Sequence, residues 1–182
     1  MQARSRAPLA FAMPGLALLE LLVAGCVLAL LVSLAAPNFA SISERMKLRS
    51  AVEALASGIY VARAEAYKRG GHVTFAPADA AKCSLGQNAS PWSCGWIVFA
   101  DENDDGRHDA IEEVILVGQV PDGIHVVETK GTSAFRLNAW GRFNGLSAFG
   151  FALTSRVDRT AGSVVCISAG GRVRTEHGQS EC

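Results

Sequence analysis

The hydrophobic positions of this chain change period twice. Between residues 16 and 36 nearly every position is apolar, and the one charge is Glu20. Further on, Leu48, Val52, Leu55, Ile59, Ala62 and Ala66 recur at alternating spacings of four and three, the stripe of an amphipathic helix. Arg49, Glu53, Arg63 and Lys68 fall largely off that stripe, and Gly70-Gly71 supplies a stop. One helix is therefore predicted from residue 16 to about residue 69, with Pro37 inside it. A proline there removes one backbone hydrogen bond and bends the helix. Beyond Gly71 the pattern becomes that of strands, at 72–76, 96–100, 114–117, 124–128, 134–137, 148–154 and 164–168. Turn-rich linkers separate them, among them Pro121-Asp122-Gly123 and Asn144-Gly145. A long helix followed only by short strands implies an α+β fold, with an antiparallel sheet laid on the C-terminal half of the helix.

As a helix, the 16–36 block would be about 30 Å long, the hydrocarbon thickness of a bilayer. Arg4 and Arg6 precede it with no acidic residue, a flank that stays in the cytoplasm and sends the remainder across. A plain signal anchor leaves Glu20 unexplained. An acidic residue within a span costs about 2–3 kcal/mol near the centre, less near an end, and is functional by default. Val23-Ala24-Gly25-Cys26 also has the form of a lipobox, with Cys26 as the lipidated residue. Glu20 would then fall inside a short hydrophobic region, and the apolar run continues ten residues past Cys26, where lipoproteins turn polar.

The 182 residues suffice for one domain plus an appendage, and the formal net charge of zero gives no overall bias towards nucleic acid or acidic partners. Five cysteines include no CxxC and no zinc-finger spacing. In an exported chain the close pairs Cys83–Cys94 and Cys166–Cys182 read as two disulfides, each worth about 2–4 kcal/mol, with Cys26 left free in the apolar block. Asp101-Glu102-Asn103-Asp104-Asp105-Gly106, with Glu112 six residues after the glycine, satisfies the spacing of a calcium-binding loop. Its flanks decide for a hairpin turn and no metal, because 96–100 reads as a strand where such a loop has a helix. His72, His108, His125 and His177 are scattered, and no HExxH, GxSxG or phosphate-binding loop occurs. No catalytic set and no cofactor are expected, and Trp92, Trp96 and Trp140 are assigned to the core.

The apolar block resembles the prepilin signature of type IV pilins and of the pseudopilins of type II secretion systems. Gly15 ends a basic leader, Leu16 becomes the first mature residue, Glu20 the fifth and Pro37 the twenty-second. Leu16 stands where phenylalanine is usual, and Ala17-Leu18-Leu19 where Thr-Leu-Ile is common. The resemblance implies cleavage after Gly15 by prepilin peptidase, N-methylation of Leu16, and a single pass of the bacterial inner membrane with the head in the periplasm. It also implies assembly with other pilins or pseudopilins in a helical fibre. There the amine of one subunit lies against Glu20 of its neighbour, and two buried charges become one pair. The segments would be a leader at 1–15, a membrane and assembly half-helix at 16–37, an amphipathic half-helix at 38–70 and a β-rich head at 71–182.

Within that group the head resembles the GspH/FimT family. Trp92-Ser93-Cys94-Gly95-Trp96-Ile97-Val98-Phe99, followed by Asp101, Asn103, Gly106 and Asp109, carries the likeness, with Val165-Cys166-Ile167-Ser168, Gly171-Arg172-Val173-Arg174 and Cys182 at the end. The family joins H-type pseudopilins to minor pilins of type IV pili. Arg172 and Arg174 also resemble the GRxR element with which FimT-like minor pilins bind DNA during natural transformation. Arginine suits phosphate oxygens, Arg156 and Arg159 lie near in sequence, and Glu176 and Glu181 dilute the charge.

Overall fold

The computed structural model describes residues 14–79, 90–145, 147–156, 162–179 and 181–182, the side chains of 14–17 and 34–38 excepted. Helix α1 runs Pro14–Arg69. Among the described residues eight strands follow: β1 (Val73–Pro77), β2 (Trp96–Ala100), β3 (Val114–Gly118), β4 (Ile124–Glu128), β5 (Phe135–Leu137), β6 (Phe149–Ser155), β7 (Gly162–Ile167) and β8 (Val173–His177). A 3-10 turn, Pro91–Cys94, leads into β2.

The chain divides into two units between Ala40 and Ser41. In the first, every described side chain from residue 18 to 33 is exposed. Among the described residues no helix is long and apolar enough to cross a membrane, and the side chains at both ends of the 16–37 run lie outside the described set. Cys26 is free and exposed.

In the second unit α1 buries one stripe. Leu48, Val52, Leu55, Ile59, Ala62 and Ala66 are all buried, joined by Ala51. The helix stops because Gly70 and Gly71 take positive φ angles of 78° and 108°, which a side chain resists. The Gly71 amide then donates back to the Ala66 carbonyl at 2.8 Å, and Lys68 and Arg69 in the last turn favour the negative end of the helix dipole.

The strand pattern predicts one antiparallel sheet; the head has two. Their strand orders are β3-β2-β1-β5 and β4-β6-β7-β8, and every pairing is antiparallel. Alternation of period two records which face a strand buries and says nothing of its partner. Thus β4 and β5 follow one another in sequence, yet β4 pairs with β6 and β5 returns to β1. Ser93 links the two sheets: its hydroxyl donates to the Val126 carbonyl at 3.1 Å and accepts from the Val126 amide at 2.9 Å. That single side chain satisfies both backbone groups of Val126, at the middle of the outer edge of β4. Strand β8 lies outside the predicted set. Among its residues Val173, Arg174, Thr175, Glu176 and His177, only the first is apolar, so no alternation marks it.

Both sheets and the helix share one core, filled by Phe75, Trp92, Phe135, Phe149 and Phe151 in edge, tilted or stacked contact with centroids 4.3–6.1 Å apart. Trp92 and Trp96 are buried. Trp140 contradicts its expected place and is 76% exposed. Its turn sets this: Asn138 Oδ1 accepts from the amides of Trp140 and Arg142, and Gly141 closes the turn at a φ of 63°.

Trp96 is the tightest point of the packing. It pairs in register with Gly118 of β3 and faces Gly58 of α1. A Cβ at Gly118 would stand 2.1 Å from the indole, and one at Gly58 would stand 2.5 Å from Nε1. Nearer the start of this unit, Glu44 ties α1 to the end of β6. It accepts from Lys47 at 2.8 Å and from the Ser155 hydroxyl at 3.0 Å, and these two hydrogen bonds, Lys47 first, hold its carboxyl below the usual range.

Gly118→Ala tests the packing at β3. Alanine suits a strand at least as well as glycine, but overpacking costs about 1–3 kcal/mol. The expected result is a lower denaturation midpoint with an unchanged slope; an unchanged midpoint would show that the indole has room.

Candidate functional site

The residues singled out in the sequence fall in three places. Gly15 and Leu16 lie in the first turn of α1, Pro37 lies further along the same helix, and Glu20 is an exposed side chain on it. Around Glu20 stand exposed leucines, among them Leu19 at 62% and Leu21 at 76%. A helix apolar on every side needs an apolar environment, whether lipid or the helices of other chains. A carboxylate in such an environment needs a positive partner.

The second place is the turn between β7 and β8. Gly171 bonds its amide to the Ser168 carbonyl at 2.7 Å, and the Arg172 amide donates to the Ser168 hydroxyl at 3.1 Å. Arg172 and Arg174 are both exposed, while Val173 between them packs on the core. Strand alternation therefore sends both arginines to the side away from the core. Arg174 has Glu176 at 3.7 Å, a loose pair in water.

Arg63 holds this turn in place, a role that the sequence analysis missed. Its Nε donates to the Gly141 carbonyl at 2.8 Å and its Nη1 to the Gly171 carbonyl at 2.5 Å. One helix side chain thus brings the 138–142 and 168–172 turns together. Gly171 is needed for that contact, since a Cβ there would meet the Arg63 guanidinium at 3.1 Å. The other arginines do not join: Arg156 sits at the far end of β6 from this turn and donates to His125 Nε2 at 2.8 Å. Arg159 lies outside the described residues.

Below the turn, Cys166 of β7 is bonded to Cys182, with Cα atoms 5.6 Å apart. The bridge fastens the C-terminus to the sheet opposite Arg174, which pairs with Cys166 in register. Gly150 makes room for it, because a Cβ there would lie 2.3 Å from Cys182 Sγ. Cys94 is also disulfide-bonded, and Cys83 lies outside the described residues.

The third place is the 101–112 loop, which joins β2 to β3 as a hairpin connection. It folds back on Asp101, whose Oδ2 accepts from the Thr74 hydroxyl of β1 at 2.6 Å and from the Gly106 amide at 3.0 Å.

Comparison with known proteins places these features in a family. The family model described as "Type II transport protein GspH" matches residues 51–171, which takes in the amphipathic stripe from Val52 onward and β1 to β7, and ends at Gly171 in the turn before β8. No curated protein matches the chain. Among solved structures, a crystal structure of the type IV minor pilin FimU of Pseudomonas aeruginosa superposes with a TM-score of 0.53 at 20% identity, covering 76% of this chain and 98% of that one. A second crystal form of FimU gives 0.50 at 19% identity, covering 72% and 98%. At that identity the likeness is one of fold, an N-terminal helix packed on antiparallel sheets. The match to the family model spans well over half of the sequence, and the chain belongs to the GspH family of type II transport proteins.

Proposed function

We propose that the chain is a minor pilin or pseudopilin subunit, a structural component of a type IV pilus or a type II secretion pseudopilus and not an enzyme. Prepilin peptidase cuts after Gly15, and Leu16 becomes the methylated first residue. The 16–37 segment sits in the inner membrane, with the head on the periplasmic side, until the subunit joins a fibre. Glu20 carries this reading: a bare carboxylate, five residues after Gly15, on a helix whose described neighbours are apolar and exposed. In the fibre it pairs with the Leu16 amine of the adjacent subunit, and Pro37 shapes the helix for packing. Membrane insertion and docking are then separable. N-terminal sequencing of the mature protein should begin at Leu16; a start at Cys26 would make it a lipoprotein instead. Glu20→Ala should insert normally and fail to assemble, and normal assembly of that variant would remove the docking role.

A second reading concerns DNA, favoured by one observation: Arg172 and Arg174 point away from the core on a turn fixed by Arg63 and the 166–182 disulfide. Guanidinium groups suit phosphate oxygens, and the held turn presents the two on one side of the head. So few phosphate contacts give non-specific affinity of about 10⁻⁴–10⁻⁶ M that falls as salt rises. Duplex DNA titrated into the protein at low and moderate salt should show that loss, and Arg172→Ala with Arg174→Ala should remove most binding while the fold persists. Equal binding by the double variant would leave the arginines as a solvated turn.

A further inference from the structure

We propose that the surface around the Arg63 guanidinium binds single-stranded DNA, with Trp140 as the ring on which an unpaired base stacks. The proposal rests on the second reading above, in which Arg172 and Arg174 meet phosphates, and adds the bases to it. Three aromatic side chains of the second unit are exposed: Tyr60 at 52%, Tyr67 at 72% and Trp140 at 76%. Every other aromatic residue of that unit is buried. The three exposed rings are not scattered. Tyr60 and Tyr67 stand three residues before and four after Arg63, on the same face of α1. Trp140 precedes Gly141, whose carbonyl Arg63 holds, and Arg172 follows Gly171, whose carbonyl the same guanidinium holds. Each ring and Arg172 is therefore one residue or one helical turn from a group that Arg63 fixes.

The indole is held in water by its turn, since the amides of Trp140 and Arg142 both donate to Asn138 Oδ1. A tryptophan kept outside the core forgoes its burial on folding, and a flat apolar face laid on it recovers that burial on binding. Arg142 and Arg172, on the two turns, are exposed, and among the described residues no carboxylate pairs with either. Arg174 has only its loose contact with Glu176. Free guanidinium groups beside exposed rings match the two parts of a nucleotide, an anionic phosphate and a flat base. A duplex hides its base faces in its own stack, whereas a single strand offers them. Every base has such a face, so little sequence preference is expected. An acidic peptide would meet the same arginines but has no flat face for the indole, and the test separates it.

The full chain in detergent is titrated at low salt with oligothymidylate, its duplex, an abasic strand of equal length, and polyglutamate. Calorimetry gives the affinities. Trp92 and Trp96 are buried, so quenching of the exposed indole's emission reports on Trp140. Oligothymidylate should bind more tightly than the other three and quench that emission. Trp140→Ala should weaken oligothymidylate about 5- to 140-fold, the range that base–aromatic stacking supplies, and the duplex far less. Trp140→Phe should keep most of the affinity. Arg172→Ala with Arg174→Ala should weaken single strand and duplex alike. The two readings fail separately. If the arginine variant loses duplex binding while Trp140→Ala binds oligothymidylate as the parent does, the phosphate contacts stand and stacking is overturned. If Trp140→Ala loses the strand and the arginine variant does not, stacking stands without those arginines. Equal binding of the abasic strand or polyglutamate, or no binding of any strand, would overturn the proposal.

Discussion

The head depends on one contact, the indole of Trp96 held between Gly58 of α1 and Gly118 of β3. It sets how closely sheet β3-β2-β1-β5 approaches the helix. The aromatic core builds outward from it: Phe75 lies 6.3 Å from the indole centroid, Trp92 stacks on Phe75, and Phe151 meets both edge-on. The contact has a cost, since Trp96 Nε1 is buried without an acceptor. A lost hydrogen bond of that kind is worth about 1–3 kcal/mol. Burying 150–250 Å² of aromatic surface returns about 4–6 kcal/mol. Burial wins, and two glycines are the condition for it.

The parts of this fold legible in the sequence are those where one residue's neighbours decide its environment. The stripe from Leu48 to Ala66 names one helix face, and all six of its residues are buried. Strands β2 and β4 have the predicted limits because turn residues bracket them on both sides, β2 as a continuous apolar run and β4 as an alternating one. What stayed hidden depends on distant partners. Strand β8 is an edge with one apolar residue, and its place comes from β7 alone. Trp140 is exposed because Asn138 and Gly141 fix its turn, and the size of a tryptophan carries no record of that. Arg63 follows a buried alanine on α1 and reaches carbonyls 78 and 108 residues away in sequence. Long side chains of this kind lie along apolar surface with a polar tip, and no local pattern announces where the tip goes.

One helix therefore serves two environments. Its early residues present apolar surface on every side, and its later residues present one stripe to a core they help to build. The polar features lie away from the core: the paired arginines on the β7–β8 turn, and the acidic loop over β1 and β2. Each is anchored by a buried group, Gly171 under Arg63 in the first case and Asp101 on Thr74 in the second. Surface chemistry on this head is positioned from below.

The glycine clamp is tested most directly by a double-mutant cycle on Gly58 and Trp96, with unfolding free energies measured for all four proteins. In a helix alanine is favoured over glycine by about 1 kcal/mol. With Trp96 present, Gly58→Ala should nonetheless destabilise, because the new Cβ would meet Nε1 at 2.5 Å. With Trp96→Leu the indole is gone, and the same change at Gly58 should stabilise. A reversal of sign between the two backgrounds is the predicted result. The same effect of Gly58→Ala in both would mean that the indole does not set the distance between helix and sheet.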